Sequence, residues 1–209
     1  MSASDHNNNL MANYKVLILV IMVLLSCYAA VTYAANKRVE RQKYRVVKPG
    51  NGMEIRYYPK AIMATVTTRG EGYMGSSNSN FRTLAGYIFG GNRSAQKIAM
   101  TAPVHMEQKD AERKMSFVMP FDYAMDKLPV PSDSNIDIHY SKEGYFAVLK
   151  FGGYANEQKI QRKIVQLKDT LLAGGYKVKG AYSYLGYNAP WDVVGRENEV
   201  IVEIDYSEH

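Results

Sequence analysis

Lys97-Ile98-Ala99-Met100-Thr101-Ala102-Pro103-Val104 is the stretch on which the rest of the chain turns. Ile98, Met100 and Ala102 occupy alternate positions, the period of a half-buried strand. Pro103 stops the run, because proline has no N–H to donate and holds the residue before it extended. A second pair, Ala189-Pro190, stands 87 residues further on, behind another aromatic, strand-like run. The pairing implies a duplicated unit, with the ligand expected in the crevice between the two copies.

Working outward, the same order of elements appears twice. In the first half Met53, Ile55 and Tyr57 alternate with Glu54, Arg56 and Tyr58, and Pro59 closes the run. Ile62, Ala64 and Val66 alternate up to the turn at Gly70 and Gly72. Ser76-Ser77-Asn78 offers helix N-caps ahead of a stripe of Phe81, Leu84, Ala85 and Ile88, ended by Gly90-Gly91. After the Lys97 strand comes another at 115–119. Leu128-Pro129-Val130-Pro131-Ser132 then connects to the second half. There Ile136, Ile138 and Tyr140 alternate, and a stronger strand covers 145–151. Asn156 caps a helix whose Ile160, Ile164, Leu167 and Leu171 share one face, closed by Gly174-Gly175. Strand-like runs at 181–187 and 200–204 finish the chain. The two Gly-Gly pairs lie 84 positions apart. Two copies of strand–strand–helix–strand–strand read as an α+β fold, an antiparallel sheet carrying two helices.

The net charge of +6 is concentrated in one place. Lys37, Arg38, Arg41, Lys43, Arg45 and Lys48 face only Glu40, which leaves everything after Lys48 nearly neutral. That map argues against nucleic acid and for a basic collar at a membrane surface, because residues 16–35 directly before it carry no charge. Twenty helical residues span about 30 Å, the thickness of the hydrocarbon core. A retained single-pass anchor, a cleaved secretory signal and a lipoprotein-like box, Leu24-Leu25-Ser26-Cys27, all place the protein at or beyond a membrane. An anchor with this collar puts the globular part on the cytoplasmic side; a signal or lipid anchor puts it outside. The expected organisation is a disordered tail at 1–13, an anchor or signal at 14–35, a basic linker at 36–48 and one domain at 49–209. Cys27 is the single cysteine, so no intramolecular disulfide forms.

Five motifs then carry a resemblance: Glu54-Ile55-Arg56-Tyr57-Tyr58, the Lys97 stretch, Phe151-Gly152-Gly153-Tyr154-Ala155, Gly186-Tyr187-Asn188-Ala189-Pro190 and Arg196-Glu197-Asn198-Glu199-Val200. In this order, over residues 44–206, they resemble the SOUL haem-binding protein family. The resemblance implies a distorted antiparallel β-barrel of two pseudo-symmetric halves with two helices, here preceded by an N-terminal hydrophobic helix. The scaffold also resembles the ligand-sensing domains of bacterial multidrug regulators, so it does not fix the ligand.

The resemblance implies a non-covalent haem or porphyrin site between the first helix, residues 79–89, and the loop at 187–192. Beside the helix's core stripe lies a second one, Arg82, Gly86 and Phe89, with Ala85 next to it. Gly86 removes bulk where a flat ring approaches, Phe89 can stack and Arg82 can meet a propionate. Tyr187, Pro190 and Trp191 form the opposite wall. Tyr57 stands where one family member uses an axial histidine, and a tyrosinate can ligate ferric haem. Basic residues that another member offers to propionates are replaced here by Ser79, Tyr87 and Asp192. Met100 reads as core filling. The histidines add no metal site: His105 follows the Ala-Pro bend and His139 alternates onto the solvent side. The expected function is a membrane-tethered tetrapyrrole buffer or carrier without chemistry of its own. The alternatives are a small-molecule hydrolase or haem-modifying enzyme with Glu203 as base, and a protein-interaction platform.

Overall fold

The computed structural model describes residues 3–37, 39–50, 52–70, 72–189, 192 and 194–208, with side chains of the first helix described at 13–28, 30 and 31. That helix is α1 (Ala3–Lys37). There follow β1 (Glu40–Arg41), β2 (Arg45–Lys48), β3 (Glu54–Tyr58), β4 (Ile62–Arg69), α2 (Ser77–Ile88), β5 (Thr101–Ala102), β6 (Val104–Lys109) and β7 (Glu112–Val118). The second half holds β8 (Ile136–Tyr140), β9 (Gly144–Gly152), α3 (Glu157–Ala173), β10 (Lys177–Val178), β11 (Ser183–Gly186) and β12 (Glu197–Asp205).

The main sheet runs β2-β3-β9-β12-β11-β6-β7-β4-β8, all antiparallel, with β10 beside the end of β12. With β2 set aside, exchanging β3, β4, β6 and β7 for β8, β9, β11 and β12 simply reverses this order. The expected two-fold duplication is therefore present in the topology. Its axis passes between β6 and β11, where Ser183 lies opposite Glu107 and Leu185 opposite His105. β2 and β8 are left as edges, so the sheet is a curled half-barrel rather than a closed barrel.

The two Ala-Pro pairs do not mark equivalent points. Pro103 precedes β6, whereas Ala189 follows β11, the topological partner of β6; Pro190 lies outside the described residues. The strand expected at 97–102 is also mostly irregular. Only Thr101 and Ala102 pair, in parallel with the two-residue β1, and a short partner cannot order a long strand. Ile98 instead donates its N–H to the Ile88 carbonyl at the end of α2, 2.8 Å away. Met100, expected in the core, is 38% exposed.

The apolar stripes that seat both globular helices are the ones legible in the sequence, and α3 also has its expected cap. Asn156 accepts the Lys159 N–H at 2.9 Å, and Glu157 meets the positive end of the α3 dipole. Ile160, Ile164, Leu167 and Leu171 are all buried against Val200, Val202 and Ile204 of β12 and their neighbours. Leu84, Tyr87 and Ile88 of α2 pack on Ala64, Val66, Met115 and Phe117. Ser76 precedes α2 in the left-handed region (φ 57°) and gives no side-chain cap, contrary to expectation. Glu157 also ties the halves together: its carboxylate accepts from the Tyr73 and Met74 N–H groups at 2.7 and 3.1 Å.

Since strand side chains alternate, the residues not under the helices form the other face of the sheet. Thr65, His105, Ser116, His139, Phe146 and Ile201 line one shared hollow on that face. Both helices thus lie outside the curl, and the inner wall mixes polar side chains with a smaller apolar cluster of Tyr58, Val148, Leu185 and Ile201.

The segment expected as a basic linker is folded into the domain as β1 and β2. The stretch expected to be disordered is helical from Ala3 onward. Among the described residues no helix is long and apolar enough to cross a membrane. The unbroken charge-free stretch of described side chains, 16–28, is only about 20 Å of helix. The apolar side chains at 16–25 are all about half exposed.

Candidate functional site

Arg56 is the largest fully buried side chain, at 0% exposure. It belongs to β3, where Ile55 faces α3 and Arg56 and Tyr58 face inward. Four hydrogen bonds and a further ion-pair contact hold its guanidinium. Nη1 donates to Glu199 Oε2 at 3.0 Å and to the Tyr58 hydroxyl at 2.9 Å; Nη2 donates to Glu199 Oε1 at 2.8 Å. Nε and Nη2 both meet Glu54 Oε2 at 2.8 Å. Tyr44 stacks its ring 4.0 Å from the guanidinium carbon. Burial is the largest influence and opposes the charge on Arg56, but the bonds and charges of Glu199 and Tyr58 together outweigh it and raise the pKa. On Glu54, burial pushes upward while Lys150 and Arg56 pull harder and hold the carboxyl below its ordinary range.

Glu199 carries the pair to the surface. Its Oε2 accepts the Tyr187 hydroxyl at 2.7 Å, and burial, then the Glu199 charge, raises the Tyr187 pKa. Tyr187 is therefore a neutral phenol fixed in orientation. Above it opens a cleft of about 460 Å³ lined by Tyr44, Phe151 and Tyr187 and by the cations Arg41, Lys150 and Arg196. Arg41 pairs with Glu197 at 2.6 Å and Lys150 with Glu54 at 2.8 Å. Arg196 donates through Nη1 to the carbonyls of Ala189 (3.0 Å) and Asp192 (2.6 Å) and lies over the Tyr154 ring. Its Nε is buried and has no hydrogen-bond partner among the described residues. A buried, unmet donor beside three aromatic walls suits a flat ligand bearing a carboxylate.

The site residues expected from the sequence are only partly brought together. Tyr187 lines the cleft, while Pro190 and Trp191 lie outside the described residues. Arg82 and Gly86 are exposed on the outside of α2, Ala85 is half-buried, and Phe89 is 62% exposed; none of them lines this cleft. Tyr57 faces away from it and donates its hydroxyl to Glu143. That bond is the main cause of its raised pKa, which works against a tyrosinate. Glu203 does face inward, but it is ion-paired with Lys142 at 2.8 Å. His139, expected on the solvent side, points into the hollow and meets Thr65 Oγ1 at 2.8 Å. His105 also lies there, bonded to Gln42 at 2.7 Å. Among the described residues no cluster of three or more His, Cys, Asp and Glu can hold a metal ion.

Arg56, Glu199, Tyr44, Phe151 and Arg196 were not singled out by sequence reasoning. Arg56 and Glu199 stand inside two of the quoted motifs, but in strands that alternate with apolar residues nothing local marks a charged side chain as buried. The available signal was the aromatic flank Tyr57-Tyr58, which solvent-exposed arginines do not require.

A symmetric α+β half-barrel with a ligand-sized cleft over a buried ion pair is the architecture of a binding module. A family model described as SOUL heme-binding protein matches residues 39–203, and the chain belongs to that family. Heme-binding protein 2 of Homo sapiens is 30% identical over 162 residues, covering 73% of this chain and 78% of that protein. Heme-binding protein 1 of Xenopus tropicalis is 28% identical, covering 73% and 84%. Among solved structures, the EcmrR C-terminal domain superposes with a TM-score of 0.55 at 9% identity, over 78% of this chain and 99% of that one. A hydrolase from Listeria innocua gives 0.53 at 10% identity, over 76% and 94%. At these identities the two structures share the fold alone.

Removing Glu199 leaves the Arg56 charge buried without its main partner. Glu199→Ala is expected to lower stability by about 3–5 kcal/mol, read from a urea unfolding curve. Replacing both partners with apolar residues, Arg56→Met with Glu199→Leu, should recover most of that loss. Burial lowers the His105 pKa to about 4, against about 6.5 in the unfolded chain. The unfolded state thus binds the proton first. Stability from this group is complete above about pH 6.5 and declines as the pH falls toward 4. His105→Gln should flatten that part of the acid limb, as followed by melting temperature against pH.

Proposed function

We propose that this chain binds a tetrapyrrole, haem or porphyrin, non-covalently in the cleft lined by Arg41, Tyr44, Phe151, Tyr187 and Arg196, and holds it as a buffer or carrier without transforming it. The observation that carries this reading is the buried, unmet Nε of Arg196 among aromatic walls and two further cations. Family membership and the names of the relatives support it. Tyr44, Phe151 and Tyr187 would cover the ring, and Arg196, Arg41 and Lys150 would meet its carboxylates. The cleft volume falls in the usual range for small-molecule sites. None of the described lining residues is a histidine, cysteine or methionine, and Tyr187 is held as a neutral phenol. The residues here fit a ring gripped at its edge and faces rather than through an axial bond. Bound haem would supply its own iron chemistry, and this chain's residues bind and orient the ring.

The second part of the proposal is that residues 16–35 tether the domain to a membrane. The support is the charge-free run in the sequence, the exposure of its apolar side chains and the basic residues that follow.

Titration of the full chain in detergent micelles with haemin should shift the Soret band and quench Trp191 fluorescence. Arg196→Gln should weaken binding by at least ten-fold, the scale of one charge-assisted hydrogen bond. An unchanged Soret band in the wild type rejects the reading. For the tether, the full chain is expected to float with phospholipid vesicles and Leu19→Glu/Val23→Glu to remain in the aqueous fraction. Wild-type protein left in the aqueous fraction would reject the anchor.

A further inference from the structure

The inner hollow holds a second constellation, separate from the cleft under Arg196. Its volume is about 470 Å³, and the two linings share only Gln42. On its floor His139 Nδ1 lies 3.0 Å from the Tyr140 carbonyl oxygen. A carbonyl can only accept, so Nδ1 carries the proton and Nε2 is left as an acceptor. Nε2 faces Thr65 Oγ1 at 2.8 Å, so the Thr65 hydroxyl donates to it. Thr65 has one proton and has given it away, so at its 2.7 Å contact with Ser116 Oγ it accepts. The direction of the whole chain follows: Ser116 donates to Thr65, Thr65 to His139, and His139 to a fixed backbone carbonyl.

Adjacent strands fix this arrangement. β8, β4 and β7 are consecutive in the sheet, and Thr65 and Ser116 are direct cross-strand partners. Thr65 is buried, whereas Ser116 is half-buried at the hollow's wall. The hydroxyl in direct reach of the histidine is the buried Thr65, and Ser116, the one open to the hollow, reaches the base through it, a one-step extension of the nucleophile–base pairing that activates a hydroxyl. Met63, Phe146 and Ile201 give the same hollow an apolar side. Lys114 lines it too and has no ion-pair partner among the described residues.

We infer that the hollow is an acyl-transfer site in which Ser116 attacks small carboxylic esters, with Thr65 and His139 relaying its proton. Ser116 Oγ bonds to the ester carbonyl carbon as its proton passes to the Thr65 oxygen and the Thr65 proton passes to His139 Nε2. The tetrahedral oxyanion forms in the hollow that Lys114 lines. On collapse the carbon–alkoxy bond breaks, and the departing alcohol takes the proton back from His139 along the relay. Water then cleaves the acyl-Ser116 bond by the same route, releasing the acid and restoring the hydroxyl. An apolar acyl chain fits the Met63, Phe146 and Ile201 side, and a carboxylate elsewhere on the substrate suits Lys114.

The test uses the full chain in detergent micelles with a fluorophosphonate probe and with p-nitrophenyl acetate. The probe loses fluoride as Ser116 Oγ bonds to phosphorus, so peptide mass spectrometry should find the adduct on Ser116. Ester turnover should show a burst of p-nitrophenolate. Thr65→Val keeps the side-chain shape and breaks the relay; it and His139→Gln should slow both reactions by about a hundred-fold, while Thr65→Ser should retain them. Ser116→Ala should abolish the adduct with an unchanged circular dichroism spectrum. An unlabelled wild type, an adduct only at another residue, or equal labelling in Thr65→Val overturns the inference. Haemin binding in the other cleft is scored separately, so loss of one reading leaves the other standing.

Discussion

A guanidinium removed from water must find a counter-charge and hydrogen-bond partners, and Arg56 finds both from three directions at once. Glu199 comes from β12, Glu54 and Tyr58 come from its own strand, and Tyr44 closes over the top. β9 lies between β3 and β12 in the sheet. The pair therefore spans three strands, beside the inner apolar cluster of Tyr58, Val148, Leu185 and Ile201 that joins the same strands to β11. A buried ion pair is weak evidence for net stability. Here its effect is positional: Glu199 sets the Tyr187 hydroxyl, and Tyr44 is held where it forms a wall of the cleft.

The outer face is organised by a different force. Each half buries its apolar strand positions under its own helix, with Leu167 and Ile160 at 0% exposure on one side and Leu84 at 0% on the other. Burial of side chains of this size is worth about 1.5–3 kcal/mol each. The two apolar layers are joined through the sheet, with β6 and β11 meeting on the pseudo-symmetry axis. Apolar burial thus builds the halves, while polar and ionic bonds shape the surface that faces a ligand.

Much of this was legible in the sequence, in proportion to how local the signal is. The α3 stripe of Ile160, Ile164, Leu167 and Leu171, with Asn156 as its cap, reads directly from spacing and is found in place. The duplication was legible from element order, although the Ala-Pro spacing that first suggested it joins points that are not equivalent. The strand at 97–102 failed because alternation describes side chains and says nothing of whether a neighbouring strand exists to pair with them. The inner face was least legible. Arg56, Glu199, Thr65 and His139 look like the polar side of a half-exposed strand until the sheet curls, and curl is a property of the whole sheet. The stripe of Arg82, Gly86 and Phe89 shows the converse, since a sound helical pattern does not tell which object, if any, the second face meets.

Placing both helices outside the curl separates two tasks that a single packed interior would combine. Substitutions at the polar positions of the inner wall, such as Thr65, Ser116 and His139, change its lining and leave the apolar layers under the helices untouched. A scaffold partitioned in this way can drift in what it recognises while keeping its shape.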